Sequence, residues 1–329
     1  MKKLINRPED VEREMVEGLV KAYPKQLRRL DCGNVIVRAE KKESKVALIS
    51  GGGSGHEPAH GGFVGQGMLD AAVAGAVFTS PTPDMIYEGI RAIATEAGVL
   101  MVVKNYTGDI MNFEMAAELA SLDGIEVRSV VTNDDVAVEN SLYTTGRRGV
   151  AGTIFVHKIA GAAAEAGAPL AQVQRIAQKV IDNVRSMGMA ISPCTVPAAG
   201  VPGFDLAEDE MEIGIGIHGE PGTHRETLAP ADEIVAMLTE KILADLDYKD
   251  REVAVLVNGA GGTPLMELFV LNNKLQDLLA ERGIKVYQTM VGNYMTSIEM
   301  QGFSISLLRL DEELKQLLDA PCSAPAWKN

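Results

Sequence analysis

KVALIS (Lys45–Ser50), followed directly by GGGSGHEPAHGG (Gly51–Gly62), is the stretch of sequence that decides the fold. The first part is a short, mostly apolar run, which is typical of a buried strand. The closely spaced glycines of the second part let a backbone approach a ligand or adopt positive φ, and exposed N–H groups in such a loop can bind an anion. The sequence therefore predicts a strand that ends in a ligand-binding loop, with a plain tight turn as the alternative.

Short apolar runs alternate with helical periodicity along the rest of the chain. Further strands are predicted at Gly98–Lys104, Ile125–Thr132, Glu212–His218, Glu252–Asn258, Ile284–Val291 and Phe303–Leu310. Helices are predicted at Ile110–Leu122, Leu170–Met187, Ala231–Leu246, Pro264–Glu281 and Asp311–Leu318. This alternation of strands and helices is typical of α/β proteins.

The length of 329 residues favours two domains, since a domain usually has about 100–200 residues. The segment SMGMAISPCTVPAAGVPGFD, which starts at Ser186, is rich in Gly, Pro and small residues and is typical of a boundary. We therefore expect one α/β domain at 1–187 and a second α/β domain at 188–329. Ligand sites of α/β proteins commonly lie at strand ends and between domains, so a substrate site is expected at strand ends near the domain interface.

The charge and the cysteine content restrict the class of protein. The chain has 31 basic and 45 acidic side chains and a net charge of −14, which opposes binding to nucleic acid. Three widely separated cysteines fit reduced thiols in a cytosolic protein. The N-terminal segment lacks the apolar run of a signal peptide, and no stretch of about 18 residues is uncharged and apolar. The sequence therefore predicts a soluble, cytoplasmic protein that contacts neither nucleic acid nor membrane.

The segment HEPAH (His56–His60) matches the zinc protease signature H-E-x-x-H. That signature requires a helix, which places both histidines on one face toward the metal. Flanking glycines and Pro58 oppose a helix, so we expect no metal here, and a zinc hydrolase stands as a rival interpretation. The chain also has no Gly-Lys dipeptide, and therefore no Walker A nucleotide loop.

Polar residues follow two other predicted strands. VVKNYTGDIM places Lys104 at a strand end and Asp109 just before a helix, and IGIGIHGEPG places His218 at the end of a third strand. The structural alternatives are a solvated charge for Lys104, a helix cap for Asp109 and a packed histidine for His218. Their common position at strand ends, together with His56, favours a shared ligand site.

The blocks GGGSGHEPAHGGFVG, FTSPTPD, VKNYTGD and GIGIHGEPG occur in an order that resembles the dihydroxyacetone kinase family, specifically its K subunits. The resemblance spans nearly the whole chain and implies phosphorylation of dihydroxyacetone. It implies that His218 adds to the substrate ketone and forms a hemiaminal. It also implies that His56 is the general base and that Asp109 contacts a substrate hydroxyl and supports removal of its proton.

The same resemblance implies the substrate-binding residues. Gly53 and Lys104 match positions of the family that bind substrate, and Ser54 and Gly55 belong to the same substrate-binding loop, next to His56. A neutral imidazole can add reversibly to a ketone near pH 7, whereas glycerol has no carbonyl and cannot form this bond.

The family resemblance also implies the partners. Single-chain, ATP-dependent members carry a further nucleotide-binding domain, whereas a chain of 329 residues resembles the stand-alone K subunit. We therefore expect no cofactor in this chain and expect ADP or ATP with Mg²⁺ on a separate L subunit. A phosphotransferase-system M protein is implied to rephosphorylate the L subunit's ADP, and a homodimer is implied as the oligomeric state.

Two further interpretations of the function remain open. A K-like paralogue could bind dihydroxyacetone at His218 and act as a transcriptional co-activator without catalysis. The presence of both His56 and Asp109 favours the enzyme. The second interpretation is a kinase for another short ketose, because hemiaminal formation requires only the carbonyl.

Overall fold

The computed structural model describes residues 2–141, 144–220 and 222–328. Its strands form two six-stranded sheets and a short hairpin near the C-terminus. The first sheet contains β1 (Leu27–Arg29), β2 (Val35–Arg38), β3 (Ala47–Ser54), β4 (Ala71–Val77), β5 (Val99–Lys104) and β6 (Val127–Thr132). The second contains β7 (Val184–Ala190), β8 (Glu210–Ile213), β9 (His224–Thr227), β10 (Glu252–Gly259), β11 (Lys285–Gly292) and β12 (Gly302–Leu310). The hairpin is β13 (Ser323–Ala324) and β14 (Trp327–Lys328).

Eight α-helices lie within the described ranges and cover these sheets. They are α1 (Val11–Ala22), α2 (Pro83–Ile93), α3 (Thr107–Leu122), α4 (Thr153–Glu165), α5 (Leu170–Asn183), α6 (Ala231–Asp245), α7 (Leu265–Glu281) and α8 (Glu312–Asp319). The predicted α/β class is confirmed. None of these helices has the length and apolarity that crossing a bilayer requires.

The first sheet has the order β1-β2-β4-β3-β5-β6. Strands β4, β3, β5 and β6 are mutually parallel, so their carboxyl ends lie at one edge of the sheet. Every residue of β3 is buried, and the strand extends to Ser54. The predicted end at Ser50 is therefore wrong, because Gly51–Ser54 continue the strand and pair with β4. This edge therefore carries the glycine-rich loop and Lys104, which ends β5.

The second sheet has the order β11-β10-β12-β7-β8-β9, and only its β10–β11 pair is parallel. The predicted helix at Leu170–Met187 is wrong at its end, because α5 stops at Asn183 and the chain continues as β7 against β12. The predicted strand at Glu212–His218 is likewise too long. It stops at Ile213, where Gly214 adopts a φ of 72° and turns the chain into a loop.

The two sheets share one apolar core around α4. A single cluster of buried side chains includes Leu100 from β5, Leu308 from β12 and Phe155 from α4. The predicted boundary after residue 187 falls inside β7, and the division into domains at that point stays a prediction. The shared core fixes the loops of one sheet relative to those of the other.

Candidate active site

A cavity of about 690 Å³ lies at the carboxyl edge of the first sheet. Gly53 near the end of β3, Asp109 in the first turn of α3 and His218 from the loop after β8 all line it. The remaining lining residues are Phe78, Thr79, Ser80, Tyr106, Thr107, Gly108 and Asn112. The structure thus brings residues of both sheets together at strand ends, as the sequence predicts.

His56 lies behind the cavity wall and is fully buried. Its Nδ1 donates a hydrogen bond to the carbonyl of Thr296 at 2.8 Å, so its Nε2 carries a lone pair. That Nε2 is buried and has no hydrogen-bond partner among the described residues. Burial, with a smaller contribution from Lys104, lowers the pKa of His56 to about 3. His56 is therefore a neutral ring with one free acceptor atom.

His218 packs in an aromatic cage at the cavity. Its ring contacts Tyr106 at 4.4 Å, His56 at 4.7 Å and Phe78 at 5.5 Å between centroids, each nearly perpendicular. Burial, followed by the neighbouring His56, Lys104 and Arg148, lowers the pKa of His218 well below its usual value. The ring therefore stays neutral near pH 7, which is the nucleophilic form of imidazole.

Lys104 and Asp109 form a buried ion pair beneath the cavity. The Lys104 Nζ lies 3.4 Å from Asp109 Oδ2, and both side chains are almost fully buried. Asp109 Oδ1 is buried and has no hydrogen-bond partner in the described part of the chain. A Cβ at Gly52 would collide with the Lys104 Nζ, so glycine is required where the strand passes over the cation. Asp109 thus keeps one oxygen available for a ligand.

Two other histidines support Lys104 from behind. The Lys104 Nζ lies 3.3 Å from His60 Nε2, and His60 Nδ1 lies 2.9 Å from His157 Nε2. Because an ammonium only donates, His60 accepts at Nε2 and donates from Nδ1 to His157. The sequence prediction grouped His60 with His56 as a possible metal pair. Residues 56–60 are not helical, and the two rings have different partners.

The structure separates the seven predicted site residues by position. Gly53, Asp109 and His218 line the cavity, whereas His56 and Lys104 lie directly behind its wall. The Ser54 hydroxyl donates to the carbonyl of Gly75 at 2.7 Å, and the Gly55 carbonyl accepts from the Ile298 amide at 2.7 Å. Ser54 and Gly55 therefore hold the loop in place rather than present free groups to the cavity.

The sequence prediction missed two aromatic residues of the site. Tyr106 packs on His218, and its hydroxyl is buried with no hydrogen-bond partner within the described ranges. Burial raises the pKa of Tyr106 well above its usual value, so the hydroxyl keeps its proton. Phe78 stacks on His56 at 5.2 Å. Both lie inside the quoted blocks VKNYTGD and FTSPTPD, which is the signal that could have identified them.

Residues 17–326 match the sequence model of the Dak1 domain family. The chain belongs to the Dak1 family. This confirms the resemblance to dihydroxyacetone kinases that the sequence blocks indicate. The Dak1 chain is 55% identical to "PTS-dependent dihydroxyacetone kinase 1, dihydroxyacetone-binding subunit" of Listeria innocua, over 99% of this chain and 100% of that protein.

Two solved structures resemble this Dak1 chain equally well. The "dihydroxyacetone kinase operon co-activator" superimposes with a TM-score of 0.91 at 38% identity, covering 96% of this chain and 98% of the other. The dihydroxyacetone kinase of C. freundii superimposes with a TM-score of 0.91 at 36% identity, covering 99% of this chain and 60% of the other. The fold is therefore common to a kinase and to a co-activator, and the function must be argued from the site.

Proposed function

We propose that this chain is the dihydroxyacetone-binding subunit of a phosphotransferase-system-dependent dihydroxyacetone kinase. The observation that carries the proposal is the pairing of two neutral histidines, the buried His56 and the largely buried His218, beside the Asp109 carboxylate at one cavity. The Listeria innocua relative, whose name gives this activity, is 55% identical over 99% of this chain. The enzyme class is that of a phosphotransferase.

The first step of the proposed mechanism is covalent capture of the ketone by His218. The neutral ring adds through a nitrogen to the carbonyl carbon, and a hemiaminal results. His218 is suited to this step because burial keeps it neutral and the cage of Tyr106, Phe78 and His56 holds its ring. Covalent capture also orients the terminal hydroxyl of the substrate.

The second step is removal of the proton from that hydroxyl as it attacks the phosphoryl group. The His56 ring is centred 4.7 Å from the His218 ring and its Nε2 has no hydrogen-bond partner among the described residues, so in this proposal His56 accepts the proton of a substrate bonded to His218. Asp109 Oδ1 supplies a second acceptor, and Lys104 holds the carboxylate in place. General base catalysis of this kind contributes typically about 10²–10⁴-fold to the rate.

The nucleotide, Mg²⁺ and phosphoryl donor belong, in this proposal, to a separate L subunit, with a phosphotransferase-system M protein upstream and a homodimer of this chain. The name of the Listeria innocua relative, which designates one subunit of a PTS-dependent kinase, supports such partners. Among the described residues no group of three or more His, Cys, Asp or Glu side chains is arranged to hold a metal ion. In this proposal the partner also supplies the charge stabilisation of the moving phosphoryl group.

The second candidate function is a co-activator without catalysis, which the superposition with the operon co-activator supports. A coupled assay of dihydroxyacetone phosphorylation with purified L and M partners separates the two. We expect turnover by the natural chain and none by His218→Ala. Substrate binding without any turnover would instead assign the chain to the co-activator class. A four-carbon ketose in the same assay tests the range of substrates.

A further inference from the structure

We propose that Glu220, held by Arg148, is the positioning residue that sets the tautomer of His218 and stabilises the positive charge that its ring acquires on adding to the ketone. The inference rests on the proposed function, because it concerns the hemiaminal at His218. Neither Glu220 nor Arg148 lines the cavity. Both act on the substrate only through His218.

Glu220 lies beside His218 within one loop. Its Oε2 accepts a hydrogen bond from the His218 backbone N–H at 2.9 Å, and the same oxygen lies 4.0 Å from His218 Nδ1. Glu220 is only 4% exposed. A Cβ at Gly216 would collide with the Glu220 carboxyl group, so the glycine in GIGIHGEPG makes room for this carboxylate. The loop sequence is thus built around Glu220.

Arg148 lies near the other carboxylate oxygen of Glu220. Its guanidinium is fully buried and donates to Asp135 Oδ2 at 2.7 Å and to the carbonyl of Gly214 at 2.6 Å. The remaining Nη1 lies 3.6 Å from Glu220 Oε1. Two carboxylates share this one guanidinium, so Arg148 holds Glu220 without cancelling its negative charge.

Three buried polar atoms without partners among the described residues lie close together between His218 and Arg148. His218 Nδ1, Glu220 Oε1 and Arg148 Nη1 all lack a hydrogen-bond partner in the part of the chain that the structure describes. Buried polar atoms without partners are uncommon, and leaving them unpaired is costly. A movement of the His218 ring toward Glu220 by about 1 Å brings the separation of 4.0 Å into hydrogen-bond range. The unpaired atoms therefore mark a contact that forms when His218 carries charge.

The addition step explains why a carboxylate is needed there. A proton on Nδ1 leaves the lone pair of Nε2 free to bond with the carbonyl carbon. The π pair of the C=O bond moves onto the oxygen, which takes one proton from a water molecule and leaves hydroxide in the solvent. The ring keeps its Nδ1 proton and becomes a cation. A buried carboxylate facing Nδ1 fixes the tautomer beforehand and stabilises the cation afterwards, as the aspartate of a serine protease triad does.

The test measures adduct formation with dihydroxyacetone labelled with ¹³C at its carbonyl. The labelled carbon leaves the ketone region of the NMR spectrum and enters the region of saturated carbons when the hemiaminal forms. In Glu220→Gln we expect the equilibrium constant for the adduct to fall about tenfold to a hundredfold, the range for hydrogen bonds to charged groups. Glu220→Asp keeps the charge and should recover part of this loss.

The matched control is Glu212→Gln. Glu212 is a buried carboxylate of the same region that accepts from the Gly222 amide at 2.8 Å and pairs with Arg225, away from His218. We expect it to form the adduct as the natural chain does. Equal adduct formation in Glu220→Gln and the natural chain would overturn the role of Glu220 but leave the covalent step intact. No adduct in the natural chain would overturn the proposed covalent step itself.

A second measurement does not depend on formation of the adduct. Nitrogen-15 NMR of the ligand-free chain with labelled histidine distinguishes rings protonated at Nδ1 from rings protonated at Nε2, and His218→Ala assigns the signal. We expect His218 to be protonated at Nδ1 in the natural chain and to lose this preference in Glu220→Gln. A ring protonated at Nε2 in the natural chain contradicts the proposal, even if Glu220→Gln fails to fold.

Discussion

Lowering the pH from 7.5 to 5 should destabilise this chain through its buried histidines. Burial lowers the pKa of His56 and His157 to about 3 and that of His60 and His218 well below the usual value of 6.5. In the unfolded chain each ring titrates near 6.5. Below pH 6.5 the unfolded state therefore binds protons that the folded state does not bind. The contribution of these rings to the stability is fully present above pH 6.5 and is lost as the pH falls from 6.5 toward 3.

The magnitude follows from the size of these shifts. Each pH unit below 6.5 costs about 1.4 kcal/mol for one such group, so His56 and His157 together cost about 4 kcal/mol at pH 5. Asp135 acts in the opposite direction. Burial raises the pKa of Asp135 to about 6, so the folded state binds this proton at a higher pH than the unfolded state does. At pH 5 this difference stabilises the folded state by about 1.4 kcal/mol. These three groups alone give a net loss of about 3 kcal/mol, to which His60 and His218 add; this is a large part of a typical stability of about 5–15 kcal/mol.

The assay is urea unfolding at pH 7.5 and pH 5, followed by fluorescence of the single tryptophan, Trp327, which is buried in the core. His157→Gln should remove about 2 kcal/mol of the difference between the two pH values. His224→Gln makes the same substitution at an exposed histidine and controls for the substitution itself. The reasoning is refuted if His157→Gln shows the full pH dependence of the natural chain.

Three predictions concern the site directly. His56→Gln should still form the ¹³C-labelled adduct, while kcat in the coupled assay falls about 10²–10⁴-fold; an unchanged kcat would remove His56 from the mechanism. Gly53→Ala should destabilise the chain by about 1–3 kcal/mol in urea, because its Cβ would lie 2.5 Å from the Thr79 backbone nitrogen; natural stability would contradict this. Lys104→Met leaves Asp109 as an unpaired buried charge and should cost about 3–5 kcal/mol. The double variant with Asp109→Asn should regain stability but not turnover, and a double variant as unstable as the single one would refute the pairing.

The strand ends that line the cavity were predicted from the sequence, because these strands have local patterns. Buried parallel strands have continuous apolar sequences, so β3 and β5 were recognised together with the polar residues at their ends. The glycine-rich loop was recognised from composition alone. The Dak1 family membership was recognised from four separate blocks and is confirmed.

The elements that were missed lack such patterns. Helix α4 (TIFVHKIAGAAAE) is buried on nearly all sides, so it has no amphipathic periodicity to detect. Strand β4 (AAVAGAV) consists of alanine, glycine and valine, and alanine and glycine are depleted in strands. The contact of His60 with His157 joins residues 97 positions apart, which no local pattern reveals. The hydrogen bonds of Ser54 and Gly55 also join them to distant partners, Gly75 and Ile298.

The hydrogen bonds that join the glycine-rich loop to residues 296–298 limit how the chain can be divided. His56 belongs to the loop after β3, yet its Nδ1 proton is directed by the carbonyl of Thr296, far along the sequence. The Ile298 amide donates to the carbonyl of Gly55 at 2.7 Å across the same junction. The protonation pattern of the expected base is therefore set by the other half of the protein. A chimaera that exchanges the halves of two relatives must carry residues 296–298 together with the glycine-rich loop, or the expected base loses its orientation while every motif residue is still present.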